Sequence, residues 1–63
     1  MNRLKEMRNQ KGFTQYELGR LIGRYQSLIW QIEQEYRKPR EWEKEAIARA
    51  LGVGVDEIFP SNT

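Results

Sequence analysis

The sequence predicts an all-α fold of five short helices joined by short links. Apolar residues recur at spacings of three and four, as on the buried face of a helix, and no segment shows the strict alternation of a half-buried strand. Glycines separate several of these apolar runs. A chain of 63 residues has room for one small core, so we expect a single domain over residues 1–63.

The helix bounds follow from terminal signals in the sequence. Gly12 and Gly52 suit the left-handed position that follows a helix end. Thr14 and Glu17 have the spacing of a capping box, in which each side chain bonds the backbone N–H of the other residue. A residue before proline disfavours helical geometry, which makes 37–40 a loop. The predicted helices span residues 2–11, 14–22, 26–35, 41–51 and 55–59.

The predicted core is formed by the apolar stripes of these helices. Glu33 falls on the same inward face of the third helix, where an unpaired carboxylate would be costly to bury. Arg8 is its predicted partner in a structural ion pair; the alternative is that both side chains reach the rim and contribute little. The apolar core candidates are Leu4, Met7, Phe13, Leu18, Leu21, Ile22, Ile29, Ile32, Ile47, Leu51, Val53, Ile58 and Phe59.

The composition argues against an enzyme or a metal site. Cysteine and histidine are both absent, which removes disulfides, thiolate ligands and the commonest general base. We therefore expect no catalysis, no metal, no cofactor and no small-molecule ligand. No apolar run approaches the roughly 20 residues of a membrane span, and the first residues are too polar for a signal sequence, so we expect a cytoplasmic protein that does not bind membranes.

Charge is distributed unevenly along the chain. Residues 1–40 carry nine Lys and Arg against four Glu, a net +5, whereas residues 41–63 carry two basic against five acidic residues, a net −3. This asymmetry favours a polyanion as the partner of the N-terminal two-thirds. Taken alone, a solvated surface of mixed charge explains it equally well.

The second and third predicted helices have the outline of a helix-turn-helix. Both are short, the turn between them contains a glycine, and a basic loop follows the second of them. A wider pattern is carried by residues 4–8, 11–18, 22–23, 29, 32–33, 38–39, 47–53 and 56–59. In these residues the chain resembles the phage repressor/Cro-like, XRE-type helix-turn-helix domains. The resemblance implies a compact five-helix, lambda-repressor-like fold that binds duplex DNA, and it supports the pairing of Arg8 with Glu33.

The outer side of the predicted third helix is polar. On a helical wheel it lies opposite Ile29 and Ile32, and it consists of Ser27, Trp30, Gln31 and Gln34, with Gln26 at the N-terminal edge. Glutamine matches the donor and acceptor that adenine presents in the major groove, and serine takes either role. The predicted base-reading residues are Gln26, Ser27, Trp30 and Gln31; the alternative is an ordinary soluble surface. For Trp30 three roles stay open: a DNA contact, packing along the second helix, or protein binding.

Phosphate contacts are predicted on both sides of this helix. The basic loop would supply affinity without sequence information, with a solvated loop as the alternative. Gln15 resembles the family position whose side chain touches a phosphate beside the exposed amides of a helix start. The predicted phosphate-binding residues are Gln15, Arg24, Tyr25, Gln34, Arg37, Lys38 and Arg40.

Four features depart from the family pattern, and one of them is Trp30, at a position that is usually small or polar. The turn before the third helix has Arg24 and Tyr25 in place of a Ser or Thr cap, and Glu35 stands where a glycine is expected after that helix. Gly19 stands where alanine is usual. Glycine there would let the third helix approach the second closely, at a helix-propensity cost of about 1 kcal/mol relative to alanine.

Together these features predict a transcriptional regulator of bacterial, phage or mobile-element origin, with repression favoured. Its partner is double-stranded DNA with a palindromic operator, bound by a homodimer whose half-sites lie about one helical turn apart. The residues Val53, Val55, Ile58 and Phe59 either supply part of the dimer interface or close the core. The alternative function is a protein-interaction module on the same fold, for example an antitoxin-like or regulatory partner, with Trp30 as its anchor.

Overall fold

The computed structural model describes residues 2–60, which form five α-helices and no strand. The helices are α1 (Leu4–Gln10), α2 (Gln15–Leu21), α3 (Gln26–Glu33), α4 (Glu41–Leu51) and α5 (Val55–Ile58). The all-α prediction is confirmed, although residue 1 and residues 61–63 of the predicted domain lie outside the described part. Within residues 2–60, no helix has the length and apolar character needed to cross a membrane.

The first and last helices of the chain, α1 and α5, are shorter than predicted because local interactions limit their ends. The side-chain oxygen of Asn2 accepts the N–H of Leu4 at 3.0 Å, so α1 begins at Leu4 and not at residue 2. At the other end of the chain, Phe59 precedes Pro60 and leaves helical geometry (φ −119°, ψ 79°), so α5 ends at Ile58 and not at residue 59.

A capping box bounds α2. The Thr14 hydroxyl accepts the N–H of Glu17 at 3.0 Å, and the Glu17 carboxylate accepts the N–H of Thr14 at 2.9 Å. Two of the N–H groups that a helix start leaves without a partner are thereby satisfied. The predicted limits of this helix, residues 14 and 22, are its two caps.

The helix α3, which carries the predicted base-reading residues, ends two residues before its predicted limit. Glu35 adopts a left-handed backbone (φ 64°), and the N–H of Tyr36 then bonds the carbonyl of Gln31 at 2.9 Å. Glu35 thus occupies the position where the family pattern has glycine, a conformation that costs other residues roughly 1–2 kcal/mol. The left-handed turn stops α3 at Glu33 and directs the basic loop away from the helix axis.

The core lies between α1, α2, α3, α4 and α5, and the predicted core is wrong at Leu21 and lacks Leu28 and Ala48. Leu21 is 58% exposed, whereas Leu28 and Ala48 are buried. The turn before α3 lies against α2 at Gly19, and Leu21 lies about 200° around α2 from that contact. The buried apolar residues are Leu4, Met7, Leu18, Leu28, Ile29, Ile32, Ile47, Ala48, Leu51 and Ile58, with Phe13, Ile22, Val53 and Phe59 packed against them.

The crossing of α2 and the turn depends on a missing side chain. A Cβ atom on Gly19 would lie 3.0 Å from the carbonyl carbon of Tyr25 and 3.1 Å from the carbonyl oxygen of Arg24. The same turn is closed by the N–H of Arg24, which donates to the carbonyl of Gly19 at 2.8 Å. Glycine therefore allows the backbone of the turn to lie directly on α2.

A buried polar network joins α1, α2 and α3. Arg8 donates to the Glu33 carboxylate from Nε at 2.6 Å and to the carbonyl of Phe13 from Nη1 at 2.8 Å. Gln15 donates to the other Glu33 oxygen from Nε2 at 2.9 Å. Because the Glu33 side chain is only 1% exposed, its charge is balanced almost entirely by these partners.

We expect Gly19→Ala to lower the free energy of unfolding by about 1 kcal/mol, although alanine is the better helix former, because the new methyl group must displace backbone atoms of the turn. Urea denaturation measures the change. Gly54→Ala is the control, since a Cβ there meets side-chain carboxylate oxygens of Asp56 and Glu57, at 3.1 and 3.4 Å, and no backbone atom within 4 Å. A Gly19→Ala variant as stable as the wild type would contradict the close crossing.

We expect Arg8→Ala and Glu33→Ala each to destabilise the fold by about 3 kcal/mol or more, because each leaves the other charge buried. The double variant should lose much less than the sum, which urea melts of all four proteins would show as coupling. The surface pair Arg3 and Glu6, about half exposed with Nε and Oε1 3.0 Å apart, serves as control and should show almost no coupling. Near-neutral, additive effects at Arg8 and Glu33 would disprove the link.

Candidate nucleic-acid interface

The outer face of α3 is polar and open to solvent. Its 3.6-residue period sends Leu28, Ile29 and Ile32 into the core, so the intervening side chains must point outward. The exposed residues of this face are Gln26, Ser27, Trp30, Gln31 and Gln34. The four candidate base-reading residues therefore lie on one accessible surface.

Trp30 makes its ring contact with the loop that follows α3. Its ring centroid lies 5.5 Å from that of Tyr36, with the planes inclined at 44°, and Trp30 is 44% exposed. Tyr36 is itself exposed. The two rings form an accessible aromatic pair at the C-terminal end of the polar face.

Gln15 lies at the start of α2 and is shared between the interior and the surface. One amide hydrogen is held by Glu33, and the residue is half-buried. Its side chain is thereby fixed in position beside α3. The residue keeps partial exposure to solvent at that edge.

Basic side chains flank both ends of α3. Arg24 in the preceding turn and Arg37 in the following loop both reach the Glu43 carboxylate of α4, from Nε at 3.7 Å and from Nη2 at 3.2 Å. The guanidinium carbon of Arg24 also lies 4.5 Å from the centroid of the Trp42 ring, a cation–π contact. Two arginines from opposite ends of α3 therefore converge on Glu43.

A cleft beside α3 brings together many of the predicted site residues. Its lining includes the candidate base readers Ser27 and Gln31 and the candidate phosphate binders Arg24, Tyr25, Arg37 and Arg40. Gln26 lines a neighbouring depression with Tyr16 and Arg20. Lys38 instead borders a groove between the basic loop, α4 and α5, which places it at the far side of the loop.

The two helices α2 and α3, with the tight turn at Gly23 and Arg24 between them, have the arrangement of a helix-turn-helix. A comparison with protein families matches residues 2–58 to the helix-turn-helix domain. The chain belongs to the helix-turn-helix domain family. A search among curated proteins found no match.

Family membership gives the two helices their roles. In helix-turn-helix domains the second helix of the motif enters the major groove and the first crosses the DNA backbone, and α3 and α2 hold the corresponding positions in this chain. The resemblance to XRE-type domains is consistent with this membership. DNA binding is therefore the activity to be explained. Among the described residues, no group of three or more acidic, histidine or cysteine residues is placed to hold a metal ion.

Glu43 is the functional candidate that the sequence did not identify. Its side chain is 1% exposed, and its Oε1 accepts the N–H of Arg40 at 2.9 Å. The spacing is that of a capping box, but the residue at the cap is arginine and not Ser or Thr, so the usual pattern is hidden. Its partners Arg24 and Arg37 lie 19 and 6 residues earlier in the chain, a pairing that only the folded structure reveals.

Proposed function

We propose that this helix-turn-helix domain binds a specific double-stranded DNA site with α3 in the major groove and acts as a transcriptional regulator. The observation that carries the proposal is the exposed polar face of α3 between two converging basic flanks. Phosphate contacts position a protein on the duplex, and side chains that reach base edges select the sequence. Both kinds of group are available on this one surface.

Base reading is assigned to the first two turns of α3. Gln26 and Gln31 each present a donor and an acceptor, which suits the N6 and N7 atoms of adenine. Ser27 donates to or accepts from either kind of base edge. Trp30 would cover a thymine methyl group or a sugar edge at the end of the reading face.

Phosphate binding is assigned to the residues around α3. Cationic side chains neutralise phosphates and release condensed counterions, which gives affinity for any sequence and a strong dependence on salt. The assigned residues are Arg24, Arg37, Lys38 and Arg40, with the neutral donors Gln15, Tyr25 and Gln34.

A palindromic operator and a homodimer follow from the small size of the reading face. One α3 reaches few base pairs, whereas two copies related by two-fold symmetry read half-sites about one helical turn apart. Val55 and Phe59, half-buried beside the α4–α5 groove, offer apolar surface to a second copy. Occupation of such an operator would repress the adjacent gene in the cytoplasm of a bacterium, including one that carries a phage or mobile element.

A protein-binding role is the second candidate, favoured by the exposed pair of Trp30 and Tyr36. Large aromatic side chains are the usual anchors of protein interfaces. Salt distinguishes the two functions, because phosphate binding weakens steeply as salt rises and an aromatic anchor responds little. Wild-type protein without salt-dependent binding to duplex DNA would favour this second function.

We expect alanine at Gln26 or Gln31 to cost roughly 1–3 kcal/mol on a duplex selected from a random library and to relax the base choice at one position. Binding to random duplex should barely change. Alanine at Lys38 or Arg40 should weaken both duplexes alike and reduce the salt slope by about one unit. Binding isotherms at several salt concentrations measure both effects.

Arg49→Ala is the matched control for the loss of one positive charge, since Arg49 is exposed at the far end of α4. It should leave affinity and salt slope close to wild type. The assignment of roles is wrong if the glutamine variants weaken both duplexes equally, or if the basic-loop variants lose only the selected duplex.

A further inference from the structure

One buried carboxylate in α4 holds two arginines that come from opposite ends of the recognition helix. Glu43 Oε2 lies 3.2 Å from Nη2 of Arg37 and 3.7 Å from Nε of Arg24. Its other oxygen is occupied by the N–H of Arg40 at 2.9 Å. Both guanidinium groups therefore converge on the same carboxylate oxygen.

The two arginines keep most of their hydrogen-bonding capacity. Their side chains are 43% and 39% exposed, whereas that of Glu43 is 1% exposed. A guanidinium has five N–H donors in one plane, and one of those of Arg37 is bonded to Glu43 through Nη2 at 3.2 Å. Stacking on Trp42 at 4.5 Å further fixes the plane of Arg24.

The charge balance of this cluster indicates an anionic partner. A single arginine would neutralise Glu43, but two are present, and Arg40 adds a third cation to the lining of the same cleft. The excess positive charge is held beside Ser27 and Gln31, the candidate base readers. Paired guanidinium groups with outward donors match the geometry of a phosphate.

We propose that Glu43 is a positioning residue that holds Arg24 and Arg37 as two prongs on one backbone phosphate of the duplex, next to the bases read by Gln31. The inference rests on the proposed function and deepens it. Glu43 itself does not touch DNA; the phosphate binds the guanidinium edges that face away from it. The carboxylate thus links the turn before α3 and the loop after it into one binding site.

The proposal predicts an effect opposite in sign to simple electrostatics. Removing a negative charge near DNA ordinarily strengthens binding, since phosphates are repelled less. If Glu43 positions the arginines, its loss instead frees two long side chains, whose ordering must then be repaid on binding. We expect Glu43→Gln, which keeps the side-chain size, to weaken binding to the selected duplex by about three- to tenfold.

The matched control is Glu45→Gln, which removes the same charge from an exposed position of α4. It should bind the duplex as tightly as wild type or slightly tighter. In an Arg24→Gln/Arg37→Gln background, Glu43→Gln should no longer weaken binding, because the groups that it positions are gone. Circular dichroism and urea melts of every protein identify the folded fraction, so that affinities are compared per folded molecule.

The proposal is overturned if Glu43→Gln binds the selected duplex as tightly as Glu45→Gln does. It is also overturned if Glu43→Gln lowers the affinity of the Arg24→Gln/Arg37→Gln protein by the same factor as it lowers that of the wild type. If Glu43→Gln does not fold, Arg37→Lys provides the test, because lysine keeps the positive charge but lacks the planar guanidinium. A loss of affinity for the selected duplex equal to that of Arg37→Gln supports the paired site. Wild-type affinity of Arg37→Lys overturns it. If the wild-type protein does not bind duplex DNA, the proposed function itself is overturned. If it binds but Glu43→Gln binds equally well, only the positioning role of Glu43 is overturned.

Discussion

The contact between Arg8 and Glu33 fixes how α3 is oriented on the rest of the domain. α3 has eight residues, about two turns, and a helix of that length has little stability by itself in water. Its orientation must come from contacts with other helices. The buried carboxylate of Glu33, held from α1 by Arg8 and from α2 by Gln15, supplies a directional contact that apolar packing alone does not.

The same physical device occurs on both sides of α3. The Glu33 side chain lies on the inner side of α3, and the Glu43 side chain of α4 lies at the cleft beside α3. Each carboxylate is buried and is satisfied by arginine and amide donors. Burying a carboxylate is unfavourable unless its charge is compensated, so each one restricts the cations around it to a few positions. The consequence for function is that Arg24 and Arg37, which flank the polar face of α3, both pair with a buried carboxylate.

Sequence reasoning succeeded where the signals were local. The capping box at Thr14 and the apolar period of α4 involve residues within one or two turns of each other, and both appear in the structure. The prediction for Leu21 was wrong, because spacing alone does not reveal that the turn before α3 lies on α2 at Gly19. Glu35 was wrongly predicted to lie inside a helix, because a left-handed non-glycine residue is too uncommon to expect.

The candidate interface shows the same division between local and distant information. The outward set on α3 could be predicted because its members share one helix face. The ion pairs of Arg24 and Arg37 with Glu43 could not be predicted, since the three residues come from three separate segments. Likewise, nothing in the local pattern of α3 indicated that the ring partner of Trp30 would be Tyr36 in the following loop.

The central claim is that the outer face of α3 and its two basic flanks contact the duplex. A ¹H–¹⁵N NMR titration with a duplex selected from a random library tests it most directly. The claim predicts the largest shift changes at residues 24–31 and 37–40, together with the Trp30 indole, and small changes at residues 45–52. Changes concentrated in the α4–α5 groove around Val55 and Phe59, with α3 unaffected, would contradict it.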